Sequence, residues 1–251
     1  MKEYSAVLNA DMGESFGRYK LGNDEELMKY ITSANLACGF HAGDPTVMRT
    51  TVRLAKKYDV AVGAHPGFQD LRGFGRRTIG ITPEELVDDL LYQLGALGAF
   101  LKAEGMKMWH LSPHGWLDPL VSYEEKYADA FMKAVQEYDS ELIIVIEAKS
   151  LLYKKAKLAG LRVAAVGYPD IKYDSEGNMI GERVKKAADP AEVAQQAIFM
   201  IKDHKLRTID GKELAWQAEV LCFHGDAPNS VEVLKRVRQE FEKEGINITK
   251  W

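Results

Sequence analysis

Val60-Ala61-Val62-Gly63-Ala64-His65-Pro66-Gly67 is a short apolar, β-branched run that ends on a histidine and then on two turn-forming residues. It reads as a strand with a polar group at its C-terminal tip. The pattern recurs along the chain. Candidate strands are Tyr4–Asn9, Ala34–Cys38, Val60–Ala64, Lys107–Leu111, Leu142–Glu147, Arg162–Gly167 and Glu219–Phe223. Helical spacing fills Pro45–Tyr58, Thr82–Glu104, Tyr123–Tyr138, Lys149–Gly160 and Pro190–Asp203, and Ser230–Glu244 follows the seventh strand. Asp44-Pro45 and Thr82-Pro83-Glu84-Glu85 are helix-start signals, while Gly105, Gly160 and Gly245 stand where helices should stop.

Strand and helix alternating in this order predict parallel strands with crossover helices, an α/β fold. The run Leu142-Ile143-Ile144-Val145-Ile146 predicts burial on both faces, as a parallel sheet requires. The polar residues separate an open doubly wound sheet from a closed barrel. An open sheet concentrates its chemistry at a switch point, whereas a barrel brings every strand end to one mouth. Acids or histidines follow strands one, two, three, four, six and seven, so we expect a TIM-like (β/α) barrel one strand short of the usual eight. Five of the six histidines, His41, His65, His110, His114 and His224, fall at these ends.

The chain has 251 residues, 46% hydrophobic and 28% charged, which fits one barrel domain spanning residues 1–251. No apolar run approaches the ~20 residues of a membrane helix, and the first residues lack the apolar core of a secretion signal, so a soluble cytoplasmic protein is expected. A formal charge of −4 gives no basic footprint for nucleic acid. Cys38 and Cys222 are too far apart in sequence for a CxxC metal site and read as small buried hydrophobes.

Imidazoles and carboxylates grouped at one mouth suit a divalent ion that activates water, or acid–base chemistry without one. Each piece also has a plainer reading. Asp11 is equally a turn former, Asp44 the N-cap of the next helix, and His110 a hydrogen-bonded core residue. His204, among Lys202, Asp203 and Lys205, reads as a surface side chain. Gly73-Phe74-Gly75-Arg76-Arg77 can cradle an anion or be an ordinary loop, and Trp116 and Tyr168 can stack on a ligand or pack. No P-loop motif occurs.

The strand ends resemble one family closely: the A subunits of bacterial and archaeal 5-oxoprolinase, the LamB/YcsF lactam-utilization family. The resemblance rests on Leu8–Gly17, Ser33–Pro45, Gly63–Phe68, Gly73–Arg77, Tyr92–Leu97, Pro113–Gly115 and His224–Asp226. It implies an irregular seven-stranded barrel of the glycoside hydrolase/deacetylase type. It also implies ATP-dependent opening of 5-oxoproline to glutamate, together with partner subunits B and C.

On this footing Asp11, Glu14, His65 and His114 are the candidate catalytic residues. Asn9, Asp44, Arg76 and Asp170 are candidates for substrate binding. Asp11, His41, His65, His224 and Asp226 are candidate ligands of a divalent metal. The chain departs from the family pattern at two strands. Ser112, Trp116 and Asp118 stand in place of a Lys, an Ala and a Tyr, and Val166, Pro169 and Ile171 in place of a Glu, an Ala and an Arg, while Asp170 and Tyr173 are retained. The alternatives are a stand-alone metal-dependent amidohydrolase or deacetylase and a non-catalytic binding subunit.

Overall fold

The computed structural model describes residues 4–182 and 184–251. Eight strands lie in one parallel sheet: β1 (Tyr4–Met12), β2 (Ser33–Ala37), β3 (Ala61–His65), β4 (Met108–Leu111), β5 (Ile143–Ile146), β6 (Val163–Gly167), β9 (Val220–Phe223) and β10 (Ile246–Thr249). β1 through β6 pair in sequence order, β6 pairs with β9, and β9 pairs back onto β1. These seven strands form a closed barrel, which abolishes the sheet edges. The barrel expected from the sequence is present, with one addition. β10 joins the first half of β1, Tyr4 to Val7; its run Ile246-Asn247-Ile248-Thr249 is too short and too exposed to stand out as a strand.

Helices cover the outside: α2 (Pro45–Lys57), α3 (Pro83–Ala103), α5 (Glu125–Tyr138), α6 (Leu151–Leu158), α7 (Pro190–Lys202) and α8 (Ser230–Glu244). Their starts follow the sequence signals. The Asp44 carboxylate accepts from Thr46 N and Val47 N at 2.8 and 3.0 Å, and Thr82 with Glu85 forms a reciprocal capping box on α3. The helical spacing from Tyr123 onward runs α5 into the residue that ends the helix before it. α4 (Leu117–Tyr123) is a separate short helix, broken off by the extended backbone of Glu124 at φ −109°, ψ 114°. A one-turn α1 (Asp24–Leu27) and an antiparallel hairpin of β7 (Lys205–Arg207) with β8 (Glu213–Ala215) are also additions. Among the described residues, no helix is long and apolar enough to cross a membrane.

Candidate active site

Residues two apart on a strand share a face. On β1 this turns both Asn9 and Asp11 into the barrel, where the register sets them beside Ser33 and Asn35 of β2. Asn9 Nδ2 donates to Ser33 Oγ at 2.8 Å and to Asn35 Oδ1 at 3.1 Å, and Asn35 Nδ2 donates to Asp11 Oδ1 at 2.9 Å. His110 Nε2 donates to Asn35 Oδ1 at 2.7 Å, across Gly63, where a Cβ would lie 2.4 Å from the imidazole. Burial holds the His110 imidazole down to about 3, so it is neutral. His110 is therefore a core histidine. Asn9, expected at the substrate, lies with it one layer beneath the mouth.

Above this layer four buried side chains converge. Ligand atoms of Glu14, His41, His65 and His114 all lie within 4.8 Å of one another. His41 stacks on His114 with centroids 3.7 Å apart, and His65 stands edge-on to both. Gly75, at φ +62°, lets the loop after β3 pass over this stack; a Cβ there would sit 2.9 Å from each of the two stacked side chains.

The carbonyl contacts fix two tautomers. His65 Nδ1 lies 2.8 Å from the Ser112 carbonyl and His114 Nε2 lies 2.8 Å from that of Phe74. A carbonyl only accepts, so each of these nitrogens carries a proton, and whenever the ring is neutral its other nitrogen presents a lone pair. Those other nitrogens, His65 Nε2 and His114 Nδ1, face each other at 3.0 Å. Two lone pairs that close repel unless a cation stands between or beside them.

Nearby, Glu14 Oε1 lies 3.4 Å from His41 Nε2 and 3.8 Å from His114 Nδ1. Neither Glu14 Oε1 nor either His41 nitrogen has a hydrogen-bond partner among the described residues. Burial, then the charges of Asp11 and Asp226, push the Glu14 carboxyl well above its ordinary value. Burial and the neighbouring histidines hold His41 and His114 well below theirs. The donor set, three imidazoles and one carboxylate with lone pairs to spare, fits a divalent ion.

Asp11 flanks this cluster, its Oδ1 3.4 Å from His65 Nε2 and its Oδ2 3.9 Å from His224 Nε2. Burial alone would raise its carboxyl, but His65, His224 and the Asn35 amide outweigh burial and hold it well below the usual carboxylate range. The remaining candidates take supporting positions. Asp170 receives both the backbone N–H of His224, at 2.8 Å, and its Nδ1, at 3.1 Å. It thus orients an imidazole from behind and does not line the cavity, contrary to its expected place at the substrate. Asp226, expected on the metal, is paired at 3.1 Å with Arg76, which does line the cavity. Asp44, also expected at the substrate, uses one oxygen on the helix start and the other on Gly17 N at 2.8 Å, so it ties the β1 loop to α2.

The loop Gly73–Arg77 is no open cradle, since Arg77 pairs with Asp70, which also accepts from Gly73 N at 2.9 Å. His204 is exposed, as its charged neighbours suggest. Both cysteines are free and buried, but Cys222 also lines the cavity and directs Sγ to Asp11 Oδ1 at 3.5 Å.

The cavity over these groups measures about 480 Å³. One strand end that carries no signal in the sequence also reaches it. Glu147, just past β5, and Asp118, in the first turn of α4, both line the cavity and are both buried. Burial raises Glu147 to about 8 and Asp118 to about 6, with Asp118 adding to the effect on Glu147.

The family model for LamB/YcsF matches residues 7–251. The chain belongs to the LamB/YcsF family. A relative from Pyrococcus furiosus, named as the A subunit of 5-oxoprolinase, is 48% identical over 243 residues, covering 96% of this chain and 95% of its own. The crystal structure of a lactam utilization protein from Thermus thermophilus superposes with a TM-score of 0.90 at 41% identity, over 98% of this chain and 100% of that one. A family 4 carbohydrate esterase from Streptomyces lividans matches at a TM-score of 0.51 and 10% identity, over 98% of this chain and 91% of that one. That likeness is of fold alone. In this LamB/YcsF chain, the mouth just described belongs to a closed seven-stranded barrel whose ionisable tips meet in one cavity.

Proposed function

We propose that this chain is the A subunit of a 5-oxoprolinase, a cytoplasmic hydrolase that opens the lactam ring of 5-oxoproline to glutamate with ATP and with partner subunits B and C. One observation carries the reading. The strand-end residues that carry the family resemblance meet at a single cavity, with Asp11 charged and Glu14, His41, His65 and His114 beside it. The cavity suits a ligand of 5-oxoproline's size, and Arg76 on its wall is a cation for a substrate carboxylate. With no P-loop in the sequence, nucleotide handling falls to an unconventional site or to the assembly.

A divalent ion held by Glu14, His41, His65 and His114 would polarise a carbonyl oxygen. Asp11, kept ionised, is placed to take a proton, and Asp170 holds His224 in register beside it. The facing lone pairs of His65 and His114 also favour a second reading, a metal-dependent amidohydrolase that works alone.

One assay separates the two. With B and C present, ATP-dependent release of glutamate from 5-oxoproline is expected, lost after chelation and restored by added divalent ion. No turnover with every partner chain folded removes the lactam reading. Amide hydrolysis by the isolated chain, without ATP, establishes the second reading in its place.

A further inference from the structure

On the β4–β6 side of the mouth, the cavity ends on two carboxyl groups with no part in the proton and metal chemistry of the histidine cluster. Asp118 is held in place, its Oδ1 accepting from Ser122 Oγ at 2.9 Å and its Oδ2 from the Tyr168 hydroxyl at 3.4 Å. Glu147 is held on one side only. Its Oε2 lies 3.6 Å from Lys149 Nζ, an ammonium that also donates to the Gly177 carbonyl at 2.5 Å. Its Oε1 is enclosed and has no hydrogen-bond partner among the described residues.

A buried acceptor left unsatisfied destabilises the fold, and buried acceptors in folded proteins are nearly always paired. On a cavity wall, the missing donor is a group of the ligand. Chemistry narrows that group. Two neighbouring acids next to a single lysine call for N–H, not for a further anion, and Arg76, offered above for a substrate carboxylate, belongs to the loop after β3.

We propose that Glu147 and Asp118 form the subsite for the substrate's ring nitrogen, with the lactam N–H donating to Glu147 Oε1. This rests on the lactam reading and adds a direction to it. The ring nitrogen points to β5 and the carbonyl to the histidine cluster. After ring opening, the same two carboxyls face the new ammonium of the product. Protonation agrees with the assignment. Below about pH 8 Glu147 keeps its proton, and in the assignment that proton resides on Oε2 while Oε1, the carbonyl oxygen of the acid, accepts the N–H.

The test is calorimetric titration of the full chain with 5-oxoproline and with its lactone counterpart, in which a ring oxygen replaces N–H. Wild type is expected to bind the lactam at least about tenfold more tightly, as one hydrogen bond with no substitute partner implies. Glu147→Met, which removes the acceptor at similar volume, should bring the two affinities within about twofold by weakening the lactam alone. Glu147→Gln, which keeps a carbonyl oxygen there, should retain the preference, and Asp118→Asn is the second acceptor variant should Glu147→Met not fold.

Equal binding of lactam and lactone by wild type, a preference undiminished in Glu147→Met, or no binding of either ligand overturns the assignment. Turnover of 5-oxoproline by the wild-type complex, measured alongside, shows whether the lactam reading survives that failure.

Discussion

Glu147 ties protonation to stability at a single side chain. Its carboxyl titrates at 4.5 when free and at about 8 in the fold. Between these values the folded chain holds a proton that the unfolded chain has released, so stability falls as pH rises through that window and levels off above it. Glu147→Gln removes the linkage. Relative to wild type, the variant should melt at the same temperature near pH 4 and at a higher one near pH 8, the gap being on the order of a few kcal/mol at most. Thermal unfolding of both proteins across that range checks it; an unchanged gap from pH 4 to pH 8 means that Glu147 is ionised in the fold. No local signal in the chain marks this residue. His65 and His114 announce themselves through the Gly and Pro that let the chain turn over the mouth, whereas Glu147 closes an apolar run with Ala148 and Lys149 after it. Asp118 enters the sequence reading only as a departure from the family pattern, in place of a Tyr, and nothing local shows that the helix carrying it packs inward.

At the scale of elements, strands such as β5 and β6 are legible because burial on both faces leaves mainly Val, Ile and Ala in them, and helices α2, α3, α6 and α7 because a side chain caps their first turn. The exceptions have local causes. α4 lies across the mouth, and its seven residues offer too few turns for a periodicity to show. Asp44 shows how one residue can satisfy two readings in sequence and only one in space. Three backbone N–H groups share its two oxygens, and backbone hydrogen bonds hold its carboxyl below the ordinary value. Asp44→Ala should therefore lower stability by ~1–2 kcal/mol, the usual loss for an N-cap, and Asp44→Ser should recover part of it. Turnover per folded molecule should stay within about twofold for both variants, given that the side chain is committed to backbone donors. A loss of activity without loss of stability would return Asp44 to the substrate. Denaturant titrations with parallel activity measurements distinguish the two.

Over the whole molecule, the decisive contacts join the ends of the chain. β1 pairs with β2 from residue 33, with β9 from residue 220 and with β10 from residue 246, so the first strand cannot leave without opening the barrel at both seams. The C-terminal Trp251 adds to this closure, donating from Nε1 to Ser33 Oγ at 2.9 Å and lying 5.4 Å from the His110 ring at the base of the barrel. α7 packs on α8 and α3 on α5, so each crossover helix leans on another as well as on the sheet. A closed sheet with these long-range pairings has no half that buries its own core. The expected consequence is one cooperative unfolding step for residues 1–251. Far-ultraviolet dichroism, which follows the helices, and near-ultraviolet dichroism, which follows packed aromatics such as Trp251, should give superimposable curves in denaturant. If the near-ultraviolet signal is lost at a lower denaturant concentration than the helices, the barrel base opens independently and the chain comprises more than one unit. Coincidence would also explain why the mouth can hold three imidazoles and the Glu14 carboxyl within 4.8 Å of one another. The strain of that arrangement is then borne by the whole barrel, not by the loops that display it.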